Sequence, residues 1–225
     1  MELDERVIIR GETREKIPIS DRVVIATSFL YKDYKNFPKD KRRDRGDTDG
    51  IRGDLALELL NRVTAEGVRI VAGDGGSSAD FLANLEKFKD RGLLLVKSSL
   101  PFRAQQRRNS FRSAISLSDC EAIVYTQPEK VSLIEHLAEI SKPILAGEAD
   151  IVIPKRNPDL FEQSYPEYMG ESELRVNATY NWLMRRAGLM KKNQSFDWFF
   201  GPVVFKNTPE ISSLFMKKYR MAGLV

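Results

Sequence analysis

Apolar residues along the chain fall into two patterns. RVVIATSFL, residues 22–30, is a β-branched run and predicts a strand. IRGDLALELLNRVTAEG, residues 51–67, sets Leu55, Leu59 and Val63 at four-residue spacing and predicts a helix with one apolar face. The two patterns then alternate. VRIVAGDGGSS, residues 68–78, reads as a short strand ending in a glycine-rich turn, and SADFLANLEKFKDRG as a helix capped by Ser77 or Ser78. GLLLVKSSLP supplies a third strand. FRAQQRRNSFRSAISL, residues 102–117, is basic but keeps Phe111, Ala114, Ile115 and Leu117 in a helical arrangement. A fourth strand runs from Cys120 to Thr126 and stops at Pro128; VSLIEHLAEISKPILAGEA is helical, and DIVIPKRN is a fifth strand ending at Pro154.

Strands alternating with helices imply parallel pairing and right-handed crossovers, so the expected fold is α/β, a mainly parallel central sheet flanked by helices on both faces. Ligands in such sheets sit at the carboxyl ends of strands. Those ends are Thr27-Ser28, Asp74-Gly75-Gly76, Ser98-Ser99, Gln127 to Lys130, and Pro154 to Asn157. YKDYKNFPKDKRRDRGDTDG, after the first strand, predicts an exposed charged loop longer than most connections. The last third changes character: PDLFEQSYPEYMGESELRVNATYNWLMRRAGL is aromatic and polar with a helical second half, and SFDWFFGPVVFKN follows. No linker-like composition separates it, so residues 1–225 are expected to form one domain with a first half over 22–157 and a second over 158–225.

Composition narrows the chemistry more than the fold. A chain of 225 residues, 42% hydrophobic and 30% charged, can build a core without disulfides or a structural metal. Cys120 and His136 are the single cysteine and histidine, which excludes internal disulfides, Cys-rich zinc modules, H-E-x-x-H sites and Cys-His or Ser-His catalysis. The net charge of +4 points to local anion sites rather than a nucleic-acid-wrapping surface. KDKRRDR, RAQQRRNSFR, LMRRAGLMKK and KKYR combine basic residues with nearby aromatics, the raw material of a phosphate-tracking surface. Acidic residues interrupt the first, which disfavours nucleic acid. MELDERVIIRGETREK has no basic head followed by an apolar core, and no apolar run approaches the roughly 20 residues of a membrane span, so a soluble, reducing, cytoplasmic setting is expected.

GDGGSS at 73–78 sits where a strand turns into a helix. Its glycines permit close backbone approach and the helix N-terminus offers N–H groups to an anion, though a plain turn with a helix cap explains the same letters. It lacks both the G-x-G-x-x-G spacing and the G-K-[ST] ending, so dinucleotide and P-loop chemistry are not supported. Ala26-Thr27-Ser28, then Asp74-Gly75-Gly76-Ser77-Ser78, then Arg107-Arg108-Asn109, then Tyr125-Thr126-Gln127-Pro128-Glu129 follow one another in an order that resembles the nucleotide-binding half of GT-A-fold glycosyltransferases of the family 2 type. The resemblance covers about residues 22–157. It implies that Thr27 and Asp74 contact the base or ribose and that Arg108 and Asn109 lie beside the nucleotide of a nucleotide-diphosphate sugar, with an unidentified acceptor. A strand-end carboxylate can accept from a base N–H or ribose hydroxyl, and a guanidinium can pair with phosphate.

The chain departs from that family at the D-x-D strand, whose aspartates hold Mg²⁺ or Mn²⁺ against the sugar diphosphate. Here the turn is Gln127-Pro128-Glu129-Lys130, with one carboxylate. Three outcomes stay open: Glu129 holds the divalent cation through waters, Lys130, Arg108 and Lys155-Arg156 neutralise the diphosphate without metal, or catalysis is lost. Glu129 as a helix N-terminal residue is the plain alternative. For the catalytic base, Asp197 in SFDWFFGP is the candidate, set between aromatics that could stack on a sugar; Trp198, Phe199, Phe200 and Phe205 could equally be core, with Asp197 a cap. Glu162, Glu171 and Glu173 are outside candidates. A sugar-phosphate nucleotidyltransferase is disfavoured because TSFLYKDYK follows the first strand where a glycine-rich, lysine-bearing loop would stand. A catalytically degenerate nucleotide- or nucleic-acid-binding domain is the remaining alternative.

Overall fold

The structure is a computed structural model that describes residues 19–35, 48–98, 103–157, 159, 161 and 167–217. A short helix α1 (Ile19–Arg22) leads into β1 (Val23–Phe29), followed by α2 (Thr48–Ala65), β2 (Arg69–Asp74), α3 (Ala79–Lys89), β3 (Leu93–Lys97), α4 (Arg103–Ile115) and β4 (Ala122–Tyr125). The segment expected to be one helix after β4 divides into a 3-10 helix (Val131–His136) and α5 (Leu137–Leu145). Then come β5 (Ile151–Val152), α6 (Glu167–Arg186), β6 (Val203–Lys206) and α7 (Pro209–Met216). Much of the charged loop after β1, Ser99, Glu162 and the end of KKYR lie outside the described residues.

The six strands form one sheet in the order β3-β2-β1-β4-β6-β5. β1 pairs in parallel with β2 and β4, and β2 with β3. The expectation of alternating parallel strands needs one correction. VVFK, not singled out as a strand, inserts between β4 and β5 and runs antiparallel to both. β5 therefore points the same way as β4 without touching it, and the carboxyl ends of β4 and β5 face one edge across the end of β6.

Period-two alternation along β1 divides the core between the faces of the sheet. Val23 and Ile25 join Leu59, Leu60 and Val63 of α2, Phe81 and Leu85 of α3, and Leu137 and Ile144 of α5. Val24 and Ala26 join Phe111 and Ala114 of α4 and, through Phe205, Phe215 of α7. Helices thus cover both faces, as the sequence predicts, and β1 is buried on both sides because parallel sheets are enclosed by their crossovers. Among the described residues no helix is long and apolar enough to cross a membrane.

Candidate functional site

The turn after β2 carries the clearest sequence signal, and it is satisfied from inside. Gly75 N–H donates to Phe29 O at 3.0 Å and Ser78 N–H to Tyr31 O at 2.9 Å. Between them, Gly76 and Ser77 N–H donate to the Asp74 carboxylate at 3.0 and 3.1 Å. Ser78 Oγ accepts from Phe81 N–H and caps α3, the second of the two caps expected. Asp74 is thus the turn's own acceptor, buried at 4% exposure. The glycines serve close packing. A β-carbon on Gly75 would overlap the Gln106 side chain, and one on Gly73 would overlap the Gln106 carbonyl. α4 rests on the strand here, and the N–H groups of Gly75, Gly76, Ser77, Ser78 and Phe81 already have protein acceptors.

Thr27 is fully buried and donates from Oγ1 to Thr126 O at 2.8 Å, stitching the end of β1 to that of β4. Arg108 and Asn109 are half-buried on α4. Arg108 Nη2 donates to Gln105 Oε1 at 3.1 Å, and Asn109 Oδ1 accepts from Gln105 Nε2 at 3.0 Å and Arg112 Nη1 at 3.1 Å. Tyr31 bridges the two turns. Its N–H donates to Ser77 Oγ at 3.1 Å, and its hydroxyl donates to Glu129 Oε1 at 3.1 Å.

The open space lies at the other turn. A cleft of about 920 Å³ at the carboxyl ends of β4 and β5 is walled by Glu129, Lys130, Arg156 and Phe200, with Phe161 and Ile140 among its apolar residues. Thr27, Asp74, Arg108 and Asn109 do not line it, so the expected site residues separate into two groups. Glu129 is gripped by Arg52, whose Nε lies 2.6 Å and Nη2 2.5 Å from Oε1. Lys130 holds its ammonium 4.6 Å from the centre of the Phe200 ring. Burial lowers its pKa, and the positive charge of Arg156 adds to the effect.

Asp197 does not line the cleft itself but is ion-paired to Arg156, which does. Arg156 Nε and Nη2 reach its two oxygens at 2.8 Å each, Asn177 Nδ2 donates to Oδ1 at 2.8 Å, and Arg156 Nη1 donates to Glu173 Oε2 at 2.6 Å. Burial acts to raise the Asp197 pKa, but the hydrogen bonds from Arg156 and Asn177 outweigh it and hold the carboxyl below its ordinary value. Asp197 and Glu173 in turn hold the Arg156 guanidinium firmly charged against its burial. A base working near neutrality needs the opposite shift, so this arrangement suits Asp197 to orienting Arg156 rather than to taking a proton. Glu173, an outside candidate for the base, is tied to the same guanidinium, and Glu171 is exposed on α6.

α6 holds this segment through asparagines four residues apart. Asn181 donates to Phe196 O at 2.9 Å and accepts from Phe196 N–H at 2.9 Å and Trp198 Nε1 at 3.1 Å. Of the aromatics offered as sugar platforms, Trp198 is paired with Phe196, Phe205 is core, and Phe200 faces the cleft. Gly201 takes φ +94, a region that favours glycine, as the chain turns from the cleft into β6.

The donor set does not fit the divalent cation that the resemblance implies. Hard cations need several oxygen ligands. Glu129 is the single carboxylate of its turn and is already ion-paired, and no group of three or more His, Cys, Asp or Glu among the described residues could hold a metal. Sequence reading missed Arg52, Tyr31, Gln106 and Asn177. For α6 a signal existed: Gly170, Glu173, Asn177 and Asn181 recur at three- and four-residue spacing, an inward polar stripe. For Arg52 there was none, since its partner lies 77 positions away.

No family model matches the chain, and no curated protein matches it. Among solved structures, TarS 1-349 of S. aureus is similar over 60% of this chain and 36% of that one, with 11% identity and a TM-score of 0.40. The chain spans about a third of that structure's length.

Proposed function

We propose that this chain is a glycosyltransferase-like protein that binds a nucleotide-diphosphate sugar along the carboxyl edge of its sheet. The observation that carries the reading is the cleft at the ends of β4 and β5, which presents Lys130 and Arg156 beside aromatic walls where an α/β sheet receives ligands. In this reading the diphosphate lies against Lys130 and Arg156, and the nucleoside extends toward the ends of β1 and β2. Thr27 and Asp74 shape that end, with Arg108 and Asn109 on the helix behind it. Asp197 keeps Arg156 in place, and the fixed cations stabilise a diphosphate leaving group.

A thermal-shift panel tests it: UDP, GDP, CDP and their sugars, each with EDTA or Mn²⁺. A ligand that binds only the folded chain raises stability by about 2.7 kcal/mol at a hundredfold excess over its Kd. The expected result is a rise selective for one nucleotide; no rise with any of them overturns the reading. A second reading, a nucleotide binder without transfer activity, is favoured by one observation. Glu129, Glu173 and Asp197 are all held by arginines, which leaves none of the three poised as a base. A binding-competent chain with no turnover of any bound nucleotide sugar would select it.

A further inference from the structure

The carboxylates around the cleft are unevenly shared. Arg52 takes Glu129, with Tyr31 as a second donor to the same oxygen, and Arg156 takes both Asp197 and Glu173. Glu139 stands on the same wall beside His136, with 3.3 Å between Oε2 and Nδ1. Lys130 is left over. Its half-buried ammonium lies against the Phe200 ring, and among the described residues no carboxylate forms an ion pair with it. Glu173, Glu129 and Asp197 favour its charge from a distance, but burial and the Arg156 charge outweigh them, and an anion entering the cleft would supply the direct partner that these carboxylates do not.

We infer that the cleft is a metal-independent diphosphate site in which the Lys130 ammonium is the principal anion contact and Arg52 keeps Glu129 from recruiting a divalent cation. The inference rests on the reading of the cleft as the diphosphate end of the donor site. Arg52 acts through Glu129 and does not itself line the cleft. Its guanidinium neutralises the carboxylate that would otherwise repel a phosphate or bind Mn²⁺.

Inorganic pyrophosphate and Mn²⁺, titrated separately into the full chain, test this without assuming a nucleotide. The expected results are pyrophosphate binding in EDTA, no stoichiometric Mn²⁺ binding by electron paramagnetic resonance, and at least a tenfold loss of pyrophosphate affinity in Lys130→Gln that Lys130→Arg partly restores. Glu129→Gln distinguishes the two chemistries by sign. It strengthens or preserves pyrophosphate binding if Arg52 merely neutralises Glu129, and abolishes binding if Glu129 holds a metal. Circular dichroism of each variant establishes that it is folded. Pyrophosphate binding that requires Mn²⁺, or that survives Lys130→Gln unchanged, overturns the inference. Nucleoside diphosphates that bind only with Mn²⁺ would sink this inference and leave the transferase reading standing. Pyrophosphate binding through Lys130, with no nucleoside diphosphate binding more tightly, would do the reverse.

Discussion

The turn after β2 and the turn after β4 sit at the same edge of one sheet and solve opposite problems. The first has the recognisable letters, aspartate, two glycines and two serines, and spends them on itself: Asp74 accepts from Gly76 and Ser77, Ser78 caps α3, and Gln106 fills the space the glycines leave. The second has an undistinguished sequence, Gln127-Pro128-Glu129-Lys130, yet it borders the large cleft and a set of charges drawn from distant segments. A motif at a strand end therefore reports local backbone needs first. Open volume and uncompensated charge, which a ligand requires, are set by how neighbouring elements pack.

The largest expected effect lies at the cleft. Arg156 and Asp197 are about nine-tenths buried as side chains, and removing one partner strands the other. Arg156→Ala should cost about 3–5 kcal/mol in urea denaturation. A loss under 1 kcal/mol would mean that the two regions do not differ in how much they depend on charge.

Acid sharpens the same contrast. The folded pKa of Asp197 is lowered, so its contribution is present above the unfolded value of about 3.9 and is lost as pH falls through the folded value. Stability measured from pH 5 downward should fall in the wild type, and Asp197→Asn should flatten that part of the curve. An unchanged slope in the variant would remove Asp197 from the account.

The smallest effect belongs to the β2 turn and has the opposite sign. Gln106 is fully buried, and neither its amide oxygen nor its nitrogen has a hydrogen-bond partner among the described residues. Leaving a buried polar group unsatisfied costs about 1–3 kcal/mol, so Gln106→Leu should stabilise the chain by about 1 kcal/mol in the same denaturation series. Destabilisation would show that the amide is in use, and the β2 turn would no longer count as closed.

The sequence by itself determined the alternation of strands and helices from β1 to α4 and the covering of the sheet on both faces, because periods of two and 3.6 residues are local properties of the chain; it showed neither the short α1 nor the division of the helix after β4. It also located both turns at the carboxyl edge. It did not show that VVFK would separate β4 from β5, since so short a run holds no information about its partner or direction. Nor did it show which carboxylates would be neutralised. Arg52 meets Glu129 across 77 positions and Arg156 meets Asp197 across 41, and only the packing of α2 against the 3-10 helix after β4 and the pairing of β5 with β6 bring them within hydrogen-bond range. Charge pairing falls steeply with distance and depends on burial, so the tertiary structure decided which of the candidate residues were already in use and left Lys130 facing the cleft.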